Sequence, residues 1–361
     1  YNKNNFYNYN NIYNNNMKFR TKKLNQNIKF KSAKIELNPK TNQFLPSLIT
    51  IKRYLSLIFL TFFTLFSLSF LLKLFIKKFF TKNKLDINYS NYERNIITEE
   101  MLQNAGWELT NEEAFLINGI IRKHKPKKCL EIGVGKGGTS ALILNAIKDI
   151  SDSSLISIDI HHKLINDLGK NIGYKVEKYF SSLSSKWQLF LGEMPHVVLE
   201  KLNLKYNFVI LDTSHKMPGE ILNFIEILPF LENNALIVLP NLIKNLNDSD
   251  IISDNNITLK TTSTSIFLMS SIVGMKKIFY NENKVMENIG VIVLEKEQEK
   301  YYENYFLLLL NIWENMLTDE EIFQLRLFIE KYYKKEKYIN IFENAVLYNK
   351  EYQKIQQNFK T

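Results

Sequence analysis

From residue 128 to residue 240, short apolar runs alternate with segments of helical period, and no other feature of this 361-residue chain limits its fold so tightly. The runs occupy 129–132, 155–158, 188–191, 208–211 and 235–239. A strand covered on both faces is apolar throughout, and parallel neighbours must be joined by a crossover, usually a helix. The alternation therefore predicts an α/β fold: a Rossmann-like, doubly wound, mostly parallel seven-stranded sheet with helices on both faces. Two further runs, 276–280 and 290–294, are too close together for a helical crossover and predict a C-terminal antiparallel hairpin. Thr110, with Glu113 three residues on and an apolar run from Ala114, predicts a helix opened by a capping box. Thr318 and Glu321 repeat that pattern in an aromatic-rich C-terminal extension.

The remaining segments divide by composition. Residues 1–53 are basic and rich in Asn, and residues 1–16 are almost wholly Asn and Tyr, which predicts disorder. The first methionine is Met17, and a start there would leave 1–16 upstream of the protein. Residues 54–72 contain no charge, and 54–76 are interrupted only by Lys73. Roughly 20 apolar residues cross a bilayer, so 54–76 is expected to be a transmembrane helix. Residues 77–98 are expected to be a linker, 99–297 a catalytic domain and 298–361 a helical extension. Basic residues before the span (Lys34, Lys40, Lys52, Arg53) nearly balance those in or after its end (Lys73, Lys77, Lys78, Lys82, Lys84). The positive-inside rule thus favours a cytoplasmic C-terminal side only slightly.

The net charge of +10 belongs to one end: residues 1–84 carry +15, and the rest of the chain carries −5. A mildly acidic body is not drawn to phosphate backbones, which argues against nucleic acid as a partner. Cys129, the only cysteine, has no disulfide partner within the chain and lies in an apolar run, which predicts a buried structural thiol.

Residues 130–140 read L-E-I-G-V-G-K-G-G-T-S, with four glycines among six residues. At the end of a first parallel strand, such a loop lets the backbone approach a ligand under the N-terminus of the next helix. Gly133, Gly135 and Gly138 also fit the dinucleotide pattern G-x-G-x-x-G, which leaves a nicotinamide-dependent oxidoreductase as an alternative. Two acids favour a different ligand. Glu131 would repel a pyrophosphate but suits a cationic amino group. Asp159 closes the second strand, where a carboxylate can accept both ribose hydroxyls, and it lies 26 residues after Gly133, against roughly 20 in the dinucleotide fingerprint.

On these residues, with Ser157-Ile158-Asp159 and 208–241, the chain resembles the class I S-adenosylmethionine-dependent methyltransferases, in particular bacterial small-molecule O-methyltransferases. The resemblance covers about 99–297. It implies that Glu131, Gly133, Val134, Gly135 and Gly137 hold the methionine part of S-adenosylmethionine. It also implies that Asp159 holds the ribose, that Ile160 lies against the adenine, and that Glu193 faces the adenine amino group. Many such enzymes bind a divalent metal through an Asp after the fourth strand and an Asp-Asn pair after the fifth. Here Asp212 and Asn241 stand in that pattern, but Pro240 replaces the second Asp, so metal-independent action is expected.

Methyl transfer to a hydroxyl also requires removal of a proton. His215, three residues after Asp212 in the stretch F-V-I-L-D-T-S-H-K, is the expected base, with Asp212 as a positioning residue. The alternative for His215 is a structural hydrogen bond to the following helix. His161 and His162 are expected to be a surface pair. The aromatic C-terminal helices, with Trp313, Phe323, Phe328, Tyr332 and Tyr333, are expected to pack together and could form a lid or a homodimer face. The expected protein is therefore a single-pass enzyme of a bacterial inner membrane, its catalytic domain cytoplasmic because the cofactor is made there. Its acceptor would be a small molecule or a glycan. A non-catalytic, membrane-tethered binding module is the remaining alternative.

Overall fold

The computed structural model describes residue 89 and residues 91–107, 109–242, 264–271, 276–279, 289–294 and 296–360. All lie in one compact unit, Lys77–Thr361. The expected disordered segment and the expected span at 54–76 fall outside the described residues. Among the described residues, no helix is long and apolar enough to cross a membrane.

The strands are β1 (Lys128–Ile132), β2 (Ser154–Asp159), β3 (Lys163–Leu164), β4 (Asp167–Asn171), β5 (Trp187–Leu191), β6 (Tyr206–Leu211), β7 (Leu231–Pro240), β8 (Lys276–Phe279) and β9 (Ile289–Val293). Seven of them form one sheet in the order β5-β2-β1-β6-β7-β9-β8, parallel from β5 to β7 and antiparallel at β9. The order reverses between β1 and β6. In open α/β sheets that reversal leaves a crevice at the carboxyl ends of the strands, where ligands bind. β3 and β4 pair only with each other, as a small hairpin outside the main sheet.

The helices are α1 (Glu99–Asn104), α2 (Asn111–His124), α3 (Gly138–Ile147), α4 (Tyr174–Tyr179), α5 (Pro195–Leu202), α6 (Gly219–Ile227), α7 (Thr264–Ser271), α8 (Tyr302–Leu308), α9 (Asp319–Tyr333) and α10 (Glu336–Lys360). Both expected capping boxes form: Thr110 and Glu113 open α2, and Thr318 and Glu321 open α9. α3 is buried along its whole length, and its apolar residues join those of α2 and the sheet in one core. Cys129 is buried there, and the apolar surroundings push its thiol pKa up, so it stays a neutral packing residue.

The linker expected at 77–98 needs correction where it is described. Tyr89 and Ile97 are part of the core, and the Tyr89 hydroxyl is 3.0 Å from Nε2 of His124. Glu93 is paired with Arg122, and Arg94 with Glu112 at 2.9 Å. Polar composition hid this packing, because the two apolar residues that dock are separated by charged ones.

The C-terminal extension is held to the domain by aromatic side chains. Phe224 of α6 meets Tyr305 edge-on at 5.0 Å, and Phe328 lies 5.1 Å from the His196 ring. The Tyr333 hydroxyl donates to the Ile225 carbonyl at 2.6 Å. Trp313, Phe328 and Tyr333 are buried, whereas Phe323 is exposed.

Candidate active site

The carboxyl ends of β1, β2 and β6 open on a cavity of about 720 Å³ at the switch point. Its wall includes Gly133, Val134, Gly135, Asp159, Ile160, Asp212 and His215, which bring together seven of the ten residues expected from the sequence.

The loop after β1 is shaped by its neighbours. Gly133 has φ +86°, and a Cβ there would lie 1.9 Å from the Asp212 carbonyl oxygen, so only glycine lets β1 and β6 run side by side at this point. At Gly135, φ is +51° and an added Cβ would meet nothing within 4 Å. That open space on the cavity wall is what a ligand approaching the backbone needs. Gly137 caps α3 against Gly173 and does not line the cavity.

Asp159 holds the loop in place. Its Oδ2 accepts the backbone N–H groups of Val134 at 3.0 Å and Gly135 at 3.3 Å, and its Oδ1 accepts that of His161 at 2.9 Å. His161 lies beside this carboxylate on the cavity wall, and His162 packs over Gly192.

Three residues expected at the cofactor, Gly137, Glu131 and Glu193, do not line the cavity. Glu131 is fully buried beneath the loop and absent from the cavity wall. Its Oε2 accepts the hydroxyls of Ser140 and Ser157, each at 2.6 Å, and Trp187 Nε1 donates to Ser157 at 2.8 Å. Burial outweighs the two serine hydrogen bonds and raises the Glu131 pKa to about 8. At neutral pH the protonated form is thus favoured, and its buried Oε1 has no hydrogen-bond partner among the described residues. Glu193 points away from the cavity and pairs with Lys201 at 2.6 Å; its neighbours Met194 and Pro195 line the wall instead.

His215 stands on the cavity wall among Asp212, Asn241 and Glu220. Its Nε2 is 3.3 Å from Asp212 Oδ1 and 3.0 Å from Asn241 Nδ2, and its Nδ1 is 2.5 Å from Glu220 Oε1. The same Glu220 oxygen accepts the His215 backbone N–H at 3.0 Å, which helps fix φ at +55°. Burial alone would lower the pKa of this imidazole, but the hydrogen bonds and charges of Asp212 and Glu220 prevail and raise it to about 9. A raised pKa reduces the share of unprotonated imidazole available as a base at neutral pH, although the Asn241 amide nitrogen at 3.0 Å can donate only to an unprotonated Nε2. The alternative reading, a hydrogen bond to the following helix, is the geometry found, since Glu220 lies in the first turn of α6.

Glu220 was not singled out from the sequence, although its place five residues after His215 was a usable signal. Asp212 shares Oδ1 with Asn241 at 3.3 Å. Among the described residues, no cluster of three or more His, Cys, Asp or Glu side chains could hold a metal ion. The far wall is built by Leu222, Asn223 and Glu226 of α6 and by Asn315, Met316, Leu317 and Glu321 of the extension. The Met217 carbonyl seats this part of the extension by accepting the backbone N–H groups of Glu314 and Asn315, each at 3.1 Å.

A glycine loop on the central strand, an acid closing the next strand and a cavity at the switch point are brought together by this α/β fold. Residues 130–241 match the family model described as a methyltransferase domain. Over these residues the chain is similar to that family.

Among solved structures, the chain is similar to an O-methyltransferase of tomaymycin synthesis from Streptomyces achromogenes in complex with the cofactor. That likeness is 13% identical, with a TM-score of 0.41, over 55% of this chain and 90% of that one. A methyltransferase from Podospora anserina bound to S-adenosylhomocysteine is 12% identical over 55% and 89% of the two chains, with a TM-score of 0.42. An O-methyltransferase from Bacillus cereus is 11% identical over 59% and 93%, with a TM-score of 0.39. Likenesses this distant say nothing further about this chain. No curated protein sequence matches it.

Proposed function

We propose that this enzyme methylates a hydroxyl of a small molecule or glycan, and that residues 54–76 anchor it to a bacterial inner membrane with the domain on the cytoplasmic side. One observation carries the chemical part: the Gly133–Gly135 loop with Asp159, and Asp212 with its partners, open onto one shared cavity. The anchor is supported by the length of the uncharged run and by the lysines around it.

S-adenosylmethionine, when bound, supplies a methyl group on an electrophilic sulfonium. The chain's part is to hold donor and acceptor in line and to receive the acceptor's proton. Asp212 is the residue placed for the second task, because Oδ1 is engaged by Asn241 and His215 while Oδ2 has no protein partner among the described residues. His215 and Asn241 hold the Asp212 carboxylate, and Glu220 stands against His215. The roles expected for His215 and Asp212 are thereby exchanged. The acceptor side is walled by Leu222, Asn223 and the 315–317 segment, so the C-terminal extension contributes to acceptor choice. A homodimer through that extension is supported by the exposed Phe323, Leu327 and Leu347.

The test is calorimetry of the full chain with S-adenosylhomocysteine and with NAD, followed by a methyl-transfer assay across hydroxylated acceptors. Binding of S-adenosylhomocysteine that Asp159→Ala abolishes, with turnover falling about 100-fold or more in Asp212→Asn, is the expected result. Binding of NAD alone, or full turnover in Asp212→Asn, would reject the proposal. A second reading, a non-catalytic binding module, is favoured by the acids Asp212 and Glu220 close against the two ring nitrogens of His215. It predicts binding of S-adenosylhomocysteine without transfer to any acceptor.

A further inference from the structure

The β3–β4 hairpin has no place in the main sheet and, among the described residues, no strand beside it. Two strands alone are marginally stable in water, so something else must hold this ribbon in position. Its feet supply the answer. It leaves β2 directly after Asp159 and Ile160, and its return is tied to the glycine loop by backbone hydrogen bonds. Gly173 donates to the Gly135 carbonyl at 2.9 Å, and Lys175 donates to that of Lys136 at 3.1 Å. Ile172 donates to the His162 carbonyl at 3.1 Å and closes the base. Both feet therefore stand on segments that build the cofactor side of the cavity.

The hairpin turns apolar surface to the same space. Ile165 lines the cavity together with Ile160, yet the two are 73% and 48% exposed. Isolated exposed isoleucines are ordinary; a pair on the wall beside a nucleoside-binding carboxylate calls for a flat apolar ligand surface. Leu168 is 69% exposed on the same hairpin but does not line the cavity, which makes it an internal control.

We propose that the 163–171 hairpin is a further cofactor-binding element, in which Ile165, with Ile160, packs on the adenine ring of the bound nucleoside. This rests on the methyltransferase reading. The experiment is titration of the full chain with S-adenosylhomocysteine and with adenosine, together with amide hydrogen exchange with and without S-adenosylhomocysteine. Ile165→Asp should weaken both ligands tenfold or more and Ile165→Ala should weaken them less, while Ile165→Phe retains binding and Leu168→Asp stays within twofold of the parent. Amides of 160–172 should gain protection on binding. Tight binding to Ile165→Asp, or no added protection in the hairpin, overturns the proposal. So does a loss of methyl transfer in Ile165→Asp at unchanged ligand affinity, which would give the hairpin to the acceptor. If the parent chain binds neither ligand, the cofactor reading itself falls, an outcome distinct from a parent that binds and a hairpin that does not matter.

Discussion

Glu131 and His215 reverse the charges ordinarily assigned to their side chains at neutral pH. Glu131, with its pKa raised from 4.5 to about 8, is neutral, and His215, raised from 6.5 to about 9, is charged. In both cases the fold favours the protonated form. Each contribution to stability is therefore complete below the unfolded pKa and is lost as pH rises through the folded one. Urea melts at a series of pH values should show stability falling from neutral pH through about 8 and about 9. Glu131→Gln keeps an acceptor for Ser140 and Ser157, so it should stay within about 1 kcal/mol of the parent at neutral pH and flatten the first part of that decline. Glu131→Ala strands both serine hydroxyls and should cost about 2–3 kcal/mol. A Glu131→Gln protein as weak as Glu131→Ala would mean that the ionised form matters. The positions of these residues were legible in the sequence, but their surroundings were not. Glu131 faces Ser157 across the sheet and Ser140 on α3, and no local pattern announces partners 26 and 9 residues away.

The glycine loop, by contrast, was legible as an element, because glycine at a strand end has few other uses. The five parallel strands were also found close to their ends, since continuous apolar runs of that length have little choice between flanking helices. Gly133→Ala should lower stability by about 2–4 kcal/mol, as a Cβ 1.9 Å from a backbone oxygen can be accommodated only by parting β1 from β6. A melt within 0.5 kcal/mol of the parent, roughly the scatter of surface substitutions, would disprove that account. The hairpin at 163–171 stayed hidden for a physical reason. Its strands are short and mostly exposed, so burial never imposed an alternating pattern on K-L-I-N-D-L-G-K-N. What fixes it is backbone hydrogen bonding to the glycine loop, and that leaves no mark on side-chain choice.

At the scale of the whole described unit, the C-terminal extension is packed into the domain rather than appended to it. Tyr333→Phe removes a buried hydrogen bond to Ile225 and should cost about 1 kcal/mol in a denaturant melt. A larger effect is expected from Trp313→Ala, about 3–5 kcal/mol, because that side chain is fully buried and its indole N–H donates to the Leu309 carbonyl. Leu317→Asp acts on the cavity wall and should raise the acceptor KM while leaving S-adenosylhomocysteine affinity unchanged. The capping boxes and aromatic spacing foretold helices and packing, and both are present. That the linking segment 315–317 would reach the cavity was not foreseeable, since it depends on the Met217 carbonyl standing where two backbone N–H groups can find it.

The three backbone N–H groups already bound to Asp159 change what that carboxylate can offer a nucleoside. Two carboxylate oxygens have about four acceptor sites, so three internal partners leave room for one more. Only one of the two ribose hydroxyls can then be taken without displacing a partner of the loop. The 2′-deoxy and 3′-deoxy forms of S-adenosylhomocysteine should consequently be unequal ligands, one bound nearly as well as the parent and the other clearly worse.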